Sequence, residues 1–518
     1  MSDAVFYLTT PIYYVNDVPH LGHAYTTVHA DFISRWQRMR GREVIFLTGT
    51  DEHGQKILRT AEKQGLSPKD WADSIVPRWK EVWEALDISN DDFIRTTDEE
   101  RHELPVQKFW QGLYDKGEVY KDVYEGLYCV GCEAFKTEDE LVDGKCPLHH
   151  IEPELVREDN YFFQLGKYAD RLIELYETNP RFVMPEARRN EVLGKVRQGL
   201  SDLSMSRASF DWGIPVPWDE SQVIYVWLDA LQNYLNAAGY GNDEDKLNRV
   251  WPANVHLVGK DILWFHAVIW PAMLMAAELP LPETVFAHGF LQVGGEKMSK
   301  STATGISPHD LLSTFGSDGF RYYFVREISF GQDGTFSWEG MLDRYNADLA
   351  NDLGNLASRV LNMIKRYLGG IVPEAPDPSE LRDEDKDLME TQASTFDAAA
   401  AAMEQLQLTE ALKSMWVFVR KANAYVEAVA PWALAKDEAQ KRRLEVVLYQ
   451  LTDALRLIAL LTYPIVPRAA AELWRRLGLE GDPSERTHGD DGRWGLLPAG
   501  VTTTVGDPLF PRLEEQTA

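Results

Sequence analysis

The chain has 518 residues, 44% apolar and 26% charged, with a formal net charge of −28; that length exceeds what one hydrophobic core holds, so three or four domains are expected in an ordinary globular composition. The charge excludes general coating of nucleic acid and leaves RNA binding to a local basic face. The opening Met1-Ser2-Asp3-Ala4 has no basic, apolar leader, and the greasiest stretch, Ile269 to Met275, is interrupted by Pro271 and too short for a bilayer, so a cytoplasmic enzyme with no membrane partner is expected.

Residues 5–10 read as a buried strand, broken by Asn16, Asp17 and Pro19. From 22 to 40 the apolar positions Val28, Phe32, Trp36 and Met39 recur at helical spacing, and Gly41 closes the segment. Val44 to Thr48 is the next buried strand, followed by Gly49-Thr50-Asp51-Glu52-His53-Gly54 and another helix ending near Gly65. This rhythm is the βαβ pattern of a parallel doubly wound sheet, whose ligands sit at the carboxyl ends of its strands. His20, His23 and Asp51 all follow strands and belong at that edge. From about 116 to 218 the rhythm stops, and the chain is aromatic-rich and irregular. It resumes with strands expected at 223–227, 255–258 and 284–287. Beyond about 346 four long apolar-striped segments (353–368, 381–406, 412–429 and 443–461) predict a helix bundle, with a surface loop at 481–493.

Two separated segments carry the chemistry. His20-Leu21-Gly22-His23 sits where a strand hands over to a helix, and Lys297-Met298-Ser299-Lys300-Ser301 follows Gly294-Gly295. Two imidazoles at an anion-friendly helix start and two ammonium groups on a Gly-rich loop suit the stabilisation of a departing pyrophosphate. A third group, Cys129-x-x-Cys132 with Cys146-x-x-His149, offers three thiolates and an imidazole for a closed, structural tetrahedral zinc, with His150 as the alternative fourth ligand. The three cysteines cluster too tightly for a secreted disulfide framework. A redox CxxC is the competing reading.

The two phosphate segments resemble the HIGH and KMSKS signatures of the class I aminoacyl-tRNA synthetases. Lys297 to Ser301 matches letter for letter, and the first reads HLGH. From Thr9-Thr10-Pro11-Ile12-Tyr13-Tyr14 to Pro431-Trp432 the chain is similar to the methionyl-tRNA synthetases of the bacterial type with a single zinc knuckle. The resemblance implies an α/β fold: a split Rossmann-like doubly wound parallel sheet with a zinc-knuckle connective insertion, plus a C-terminal all-α anticodon-binding bundle. It implies Rossmann halves at 1–115 and 223–304, the insertion at 116–222, a stem-contact linker region at 305–345 and the anticodon domain at 346–518. The reaction implied is activation of L-methionine by ATP with Mg2+, then esterification of the 3′-terminal adenosine of initiator and elongator methionine tRNA.

By the same resemblance His20, His23, Lys297 and Lys300 are catalytic, and Gly22 and Ser299 join them in binding ATP. Ile12, Tyr14, Asp51, Trp227, Ala230, Leu231, Tyr234, Ile262, Phe265, His266 and Trp270 form the methionine site. Leu231 stands where other members have proline. An unbranched thioether needs a deep apolar slot with aromatic walls, and Asp51 offers a charge-assisted partner for the substrate ammonium. Asn355, Arg359 and Trp432 are implied in anticodon reading by edge hydrogen bonds and stacking. One structural Zn2+ per chain and a monomer are expected. A class I enzyme for another apolar amino acid and a catalytically silent tRNA-binding protein are the alternatives. The larger editing insertion of the branched-chain enzymes is absent, and a binding-only protein has no need of HLGH, Asp51 and KMSKS together.

Overall fold

The computed structural model describes residues 5–132, 134–136, 138–293 and 306–514. The chain divides into two units: Met1–Pro19, Val44–Val82 and Asn90–His288 form one, and His20–Glu43, Trp83–Ser89 and Gly289–Ala518 form the other.

The first unit is built on a six-stranded sheet. Its strands are β1 (Phe6–Tyr14), β2 (Val44–Asp51), β3 (Asp92–Arg95), β4 (Val183–Met184), β5 (Val255–Gly259) and β6 (Val285–His288), in the order β3-β2-β1-β5-β6-β4, all parallel. Tyr7, Leu8, Phe46, Leu47, Leu257 and Val258 are buried, as continuous apolar strands covered on both faces must be. The chain moves outward from β1 through β2 to β3 and later returns to the opposite side of β1 at β5. The switch point between β1 and β5 is where a sheet of this kind opens a crevice at its strand ends. In β1 the register to β2 shifts between Thr9 and Ile12. Pro11, which has no N–H to give the ladder, sits in that irregularity.

Three expectations are corrected here. The run 223–227 does not rejoin the parallel sheet. Asp219–Ile224 pairs antiparallel with Pro215–Val216 and Ser206–Arg207, and Val226–Ala230 is a short helix. A five-residue apolar run carries no periodicity that separates a strand from a buried helix. Conversely, the edge strand β4 comes from within the span expected to be pure insertion. Residues 119–163 are also more regular than expected: Val119–Cys129 and Glu154–Phe163 form a long antiparallel hairpin. Val123 and Leu155 stand exposed on it, so its apolar pattern does not alternate.

The second unit is helical. Leu21–Met39 opens it, and the expected bundle helices run Asn355–Leu368, Asp383–Glu404, Leu408–Val429 and Lys441–Thr462, followed by Pro467–Arg476. The segment 481–493 is not a simple surface loop. Arg456, buried and paired with Asp453 at 2.6 Å, donates to the carbonyls of Asp491 and Arg493, and His488 is buried. A buried guanidinium needs acceptors for all its donors, and this segment supplies them. Among the described residues no helix is long and apolar enough to cross a membrane.

Asp31 is the electrostatic centre of this unit. Fully buried in the helix Leu21–Met39, it accepts from Arg35 Nε at 2.7 Å, Arg321 Nη2 at 2.6 Å, and the Ser89 N–H and hydroxyl at 2.6 and 2.5 Å. Burial alone would raise its pKa, but the two guanidiniums and the Ser89 donors outweigh it and hold the carboxyl well below the usual range. Asp31→Asn leaves two largely buried guanidiniums uncompensated, and a loss of about 3–5 kcal/mol in urea unfolding at neutral pH is expected. Because the folded pKa is depressed, this contribution is complete above the ordinary carboxylate value. The gap between wild type and variant should close as pH falls through the folded pKa.

Candidate active site

In the first unit the ends of β1 and β2 deliver a row of polar groups. Gly49 in β2 allows the close packing there: a Cβ at Gly49 would lie 2.2 Å from the Ile94 carbonyl oxygen and 2.9 Å from Ile12 Cγ2. Asp51, Glu52 and His53 follow, all buried. Glu52 is saturated, taking Arg95 Nε and Nη2 at 2.7 and 2.8 Å and the hydroxyls of Thr50 and Thr97 at 2.6 and 2.5 Å. His53 Nδ1 lies 2.7 Å from Asp229 Oδ2, and its Nε2 lies 3.7 Å from Glu103. Burial opposes charge on both His53 and Asp229. Their mutual attraction prevails, raising the imidazole to about 10 and holding the carboxyl below its ordinary value. The other Asp229 oxygen meets His102 Nε2 at 2.6 Å. His102 Nδ1 accepts from Asn236 Nδ2 at 3.2 Å, so its ring proton is on Nε2 and is donated to Asp229.

Asp229 lies in the helix Val226–Ala230, between Trp227 and Ala230, and ties that helix to the Asp51 segment. Trp227 stacks on Phe265 at 4.0 Å, Tyr14 meets Trp227 edge-on at 6.2 Å, and Trp227 Nε1 donates to the Cys132 carbonyl at 3.3 Å. Ile12, Tyr14, Trp227, Leu231, Tyr234, Ile262, Phe265 and Trp270 all pack in one apolar cluster. Ala230 is buried at the end of its helix, and its carbonyl accepts from Asn233. His266 Nδ1 faces the Ile262 carbonyl at 3.0 Å, which can only accept, so the ring proton is there. His266 Nε2 then takes the Tyr234 hydroxyl proton at 2.7 Å. Burial pushes His266 down to about 4, so it is neutral. Of the residues named from sequence, Tyr14, Trp227 and Phe265 are joined by one set of ring contacts, and Tyr234, His266 and Trp270 by another. Glu52, His53, His102, Asp229, Thr9 and His256 were not singled out. Only strand-end placement, which Glu52 and His53 share with Asp51, pointed toward them.

In the second unit His20 is the N-cap of the helix Leu21–Met39. Its Nδ1 accepts the Gly22 N–H at 3.0 Å, and His23 Nδ1 accepts the His20 N–H at 3.2 Å, a reciprocal capping box. The two rings stack at 3.5 Å. With both Nδ1 atoms accepting, each neutral ring carries its proton on Nε2, a donor. Lys297, Ser299 and Lys300 lie outside the described residues. In the bundle Asn355 is exposed at the start of the helix Asn355–Leu368. One turn on, the Arg359 guanidinium lies 5.8 Å from the centre of the Trp432 ring and donates to Glu427 at 2.6 Å.

At the end of the hairpin Cys129, Cys132, Cys146 and His149 place their donor atoms within 4.8 Å of one another. Cys132 Sγ is 3.5 Å from Cys146 Sγ. His149 Nδ1 is 3.3, 3.8 and 4.0 Å from the sulfurs of Cys132, Cys146 and Cys129. Tetrahedral zinc with ordinary bond lengths sets donor separations of about 3.5–3.8 Å. His149, not His150, joins the sulfurs. His150 takes a left-handed backbone, and its N–H bonds to the Cys146 carbonyl. A Cβ at Gly131 would fall 2.5 Å from the His149 ring, so glycine is required there.

A sequence profile described as "tRNA synthetases class I (M)" matches residues 6–154 and 140–361, and one described as "Anticodon binding domain of methionyl tRNA ligase" matches 372–518. Asn355 and Arg359 fall in the first match and Trp432 in the second. A methionine–tRNA ligase of Streptomyces coelicolor is 53% identical, covering 99% of this chain and 97% of its own length. One of Caldanaerobacter subterraneus is 48% identical, covering 98% of this chain and 79% of its own. A solved Mycobacterium tuberculosis methionyl-tRNA synthetase in complex with methionyl-adenylate matches with a TM-score of 0.92 at 40% identity, covering 98% of this chain and 100% of that one.

The donor geometry leads to one expected outcome. Elemental analysis of the purified chain should give one zinc per chain. Gly131→Val should lose it by displacing the His149 ring, while Gly194→Val, at a glycine with nothing within 4 Å of its Cβ position and no left-handed backbone, should retain it.

Proposed function

The chain belongs to the methionyl-tRNA synthetase family of class I aminoacyl-tRNA synthetases, and on that premise we propose how its residues activate methionine and charge methionine tRNA. The observation that carries the reading is the full-length likeness to a synthetase solved with methionyl-adenylate. The geometry agrees with it: a buried carboxylate, Asp51, ends a strand beside an aromatic box.

The methionine ammonium pairs with Asp51. Its thioether packs among Ile12, Tyr14, Trp227, Ala230, Leu231, Tyr234, Ile262, Phe265, His266 and Trp270, where polarizable sulfur meets ring edges. The neutral state of His266 suits an uncharged side chain. The methionine carboxylate attacks the α-phosphate of ATP in line, forming the mixed anhydride and releasing pyrophosphate, so no protein nucleophile is required. His20 and His23 donate Nε2–H to phosphate oxygens at the N-terminus of a 19-residue helix. Gly22 contributes its backbone at that helix start. Lys300 neutralises the departing pyrophosphate, with Lys297 positioning its loop and Ser299 joining them in binding ATP. Mg2+ accompanies ATP as co-substrate. The adenylate then passes its methionyl group to the 2′-hydroxyl of the terminal adenosine of initiator or elongator methionine tRNA, with AMP leaving.

Zn2+ held by Cys129, Cys132, Cys146 and His149 fills all four positions and is structural. Arg359 and Asn355 read base edges of the anticodon, and Trp432, 39% exposed, offers a stacking face. The chain works as a monomer in the cytoplasm. Its Rossmann halves are 1–115 and 223–304 together with the sheet strand β4 at Val183–Met184, the insertion is the rest of 116–222, the linker 305–345 and the anticodon domain 346–518.

Exchange of labelled pyrophosphate into ATP tests the activation step. Methionine should support it, homocysteine more weakly, and leucine, isoleucine, valine and cysteine not at all. An apolar site discriminates one missing methyl by only about 1–3 kcal/mol. Lys300→Ala should lower the exchange rate by about 10²–10³-fold while calorimetric methionine binding persists. Exchange with a different amino acid, or with none, contradicts the reading.

A further inference from the structure

Thr9, His256 and Trp270 are fully buried and come from β1, β5 and the helix Trp270–Ala277. They form a relay whose hydrogens can be assigned. Trp270 Nε1 lies 3.2 Å from His256 Nε2. An indole N–H can only donate, so His256 Nε2 carries no proton. The ring proton is therefore on Nδ1, which faces Thr9 Oγ1 at 2.8 Å, and the hydroxyl oxygen accepts it. Burial, reinforced by His266, holds the His256 imidazole far below its ordinary range, so a second proton does not compete for Nε2. The Tyr234 ring stands 4.4 Å from His256 and 6.3 Å from Trp270. The relay thus lies directly behind two walls of the aromatic box.

We propose that Thr9 and His256 are positioning residues for methionine selection. The donor-only Trp270 N–H sets the His256 tautomer, Thr9 anchors the ring by accepting its Nδ1 proton, and His256 in turn holds the Trp270 indole by its one N–H. This sets the plane of the wall that meets the S-methyl group and withdraws the wall's only donor from the chamber. The inference rests on the assignment of Trp270 to the methionine site. Size discrimination in an apolar site spans about 10–200-fold per carbon, and the relay acts by keeping this wall in one orientation.

The test is a set of variants: Thr9→Val, His256→Leu, His256→Gln, Trp270→Phe and the double variant of Thr9→Val with Trp270→Phe. Each is assayed for kcat and KM in pyrophosphate exchange with methionine and with its S-ethyl analogue, ethionine. Thr9→Val keeps the volume and removes the acceptor. The His256 proton then loses its partner, and its other seat points at the indole N–H. Thr9→Val and His256→Leu should raise KM for methionine about tenfold with kcat nearly unchanged, and should narrow the preference for methionine over ethionine by a similar factor. His256→Gln, whose amide oxygen can replace Nε2 as acceptor, should recover most of what His256→Leu loses. With Trp270 already Phe, Thr9→Val should add little, because residues in one hydrogen-bonded relay are non-additive. An unchanged methionine-to-ethionine ratio in Thr9→Val, or effects of Thr9→Val and Trp270→Phe that multiply fully, overturns the proposal. The same pair read in urea unfolding gives the coupling with no substrate present. Failure of methionine activation in the wild type would therefore contradict the functional reading, while additive unfolding effects would contradict the relay.

Discussion

Burial of charge at the end of one strand governs the first unit. Asp51, Glu52 and His53 are consecutive and ionisable, and the fold excludes water from all three. A charge taken from water must find partners nearby, and removing one partner of a buried pair costs about 3–5 kcal/mol. The Glu52 carboxylate draws Arg95 from β3, with Thr50 and Thr97 completing its shell. His53 draws Asp229 from the helix that carries Trp227, and Asp229 in turn draws His102. Each satisfied charge fixes one more piece of chain around the strand end that carries Asp51, whose register partner in β1 is Tyr14. These pairs need not add net stability to have this effect. What they fix is geometry.

Farther along the crevice the chemistry reverses. His256 and His266 are buried without carboxylate partners and are neutral, each with its ring proton placed by a group that has only one hydrogen-bonding role. The Trp270 N–H and the Tyr234 hydroxyl are spent on those two rings. The strand-end charges and these committed donors thus belong to chemically opposite surroundings within one unit. The helix Leu21–Met39 uses histidines differently. There both Nδ1 atoms accept backbone N–H groups, so in the neutral rings the protons sit on Nε2. Two pairs of histidines thus differ in tautomer because their neighbours differ.

Much of this was legible in the sequence, for reasons that can be named. The strands at 5–10 and 44–48 read clearly because both faces are buried and the runs are continuously apolar. The helix Leu21–Met39 read clearly because one stripe recurs and Gly41 ends it. The cluster of three cysteines and His149 read clearly because its residues are close in the chain and chemically distinctive. The run 223–227 was misread because five apolar residues fit a strand and a buried helix alike, and the loop 481–493 because its anchor, Arg456, lies on a distant helix. The partners of the site were hidden by separation: His53 and Asp229 are 176 residues apart, and Thr9 and His256 are 247. No local pattern reports a pair that only the parallel sheet brings together.

The most direct measurement is aminoacylation of two transcripts of methionine tRNA that differ only in the anticodon, using labelled methionine and zinc-replete protein. The account predicts that the native anticodon is charged with methionine and that the altered one is charged far more slowly. Equal charging of both transcripts, or pyrophosphate exchange with no charging of either, would contradict it.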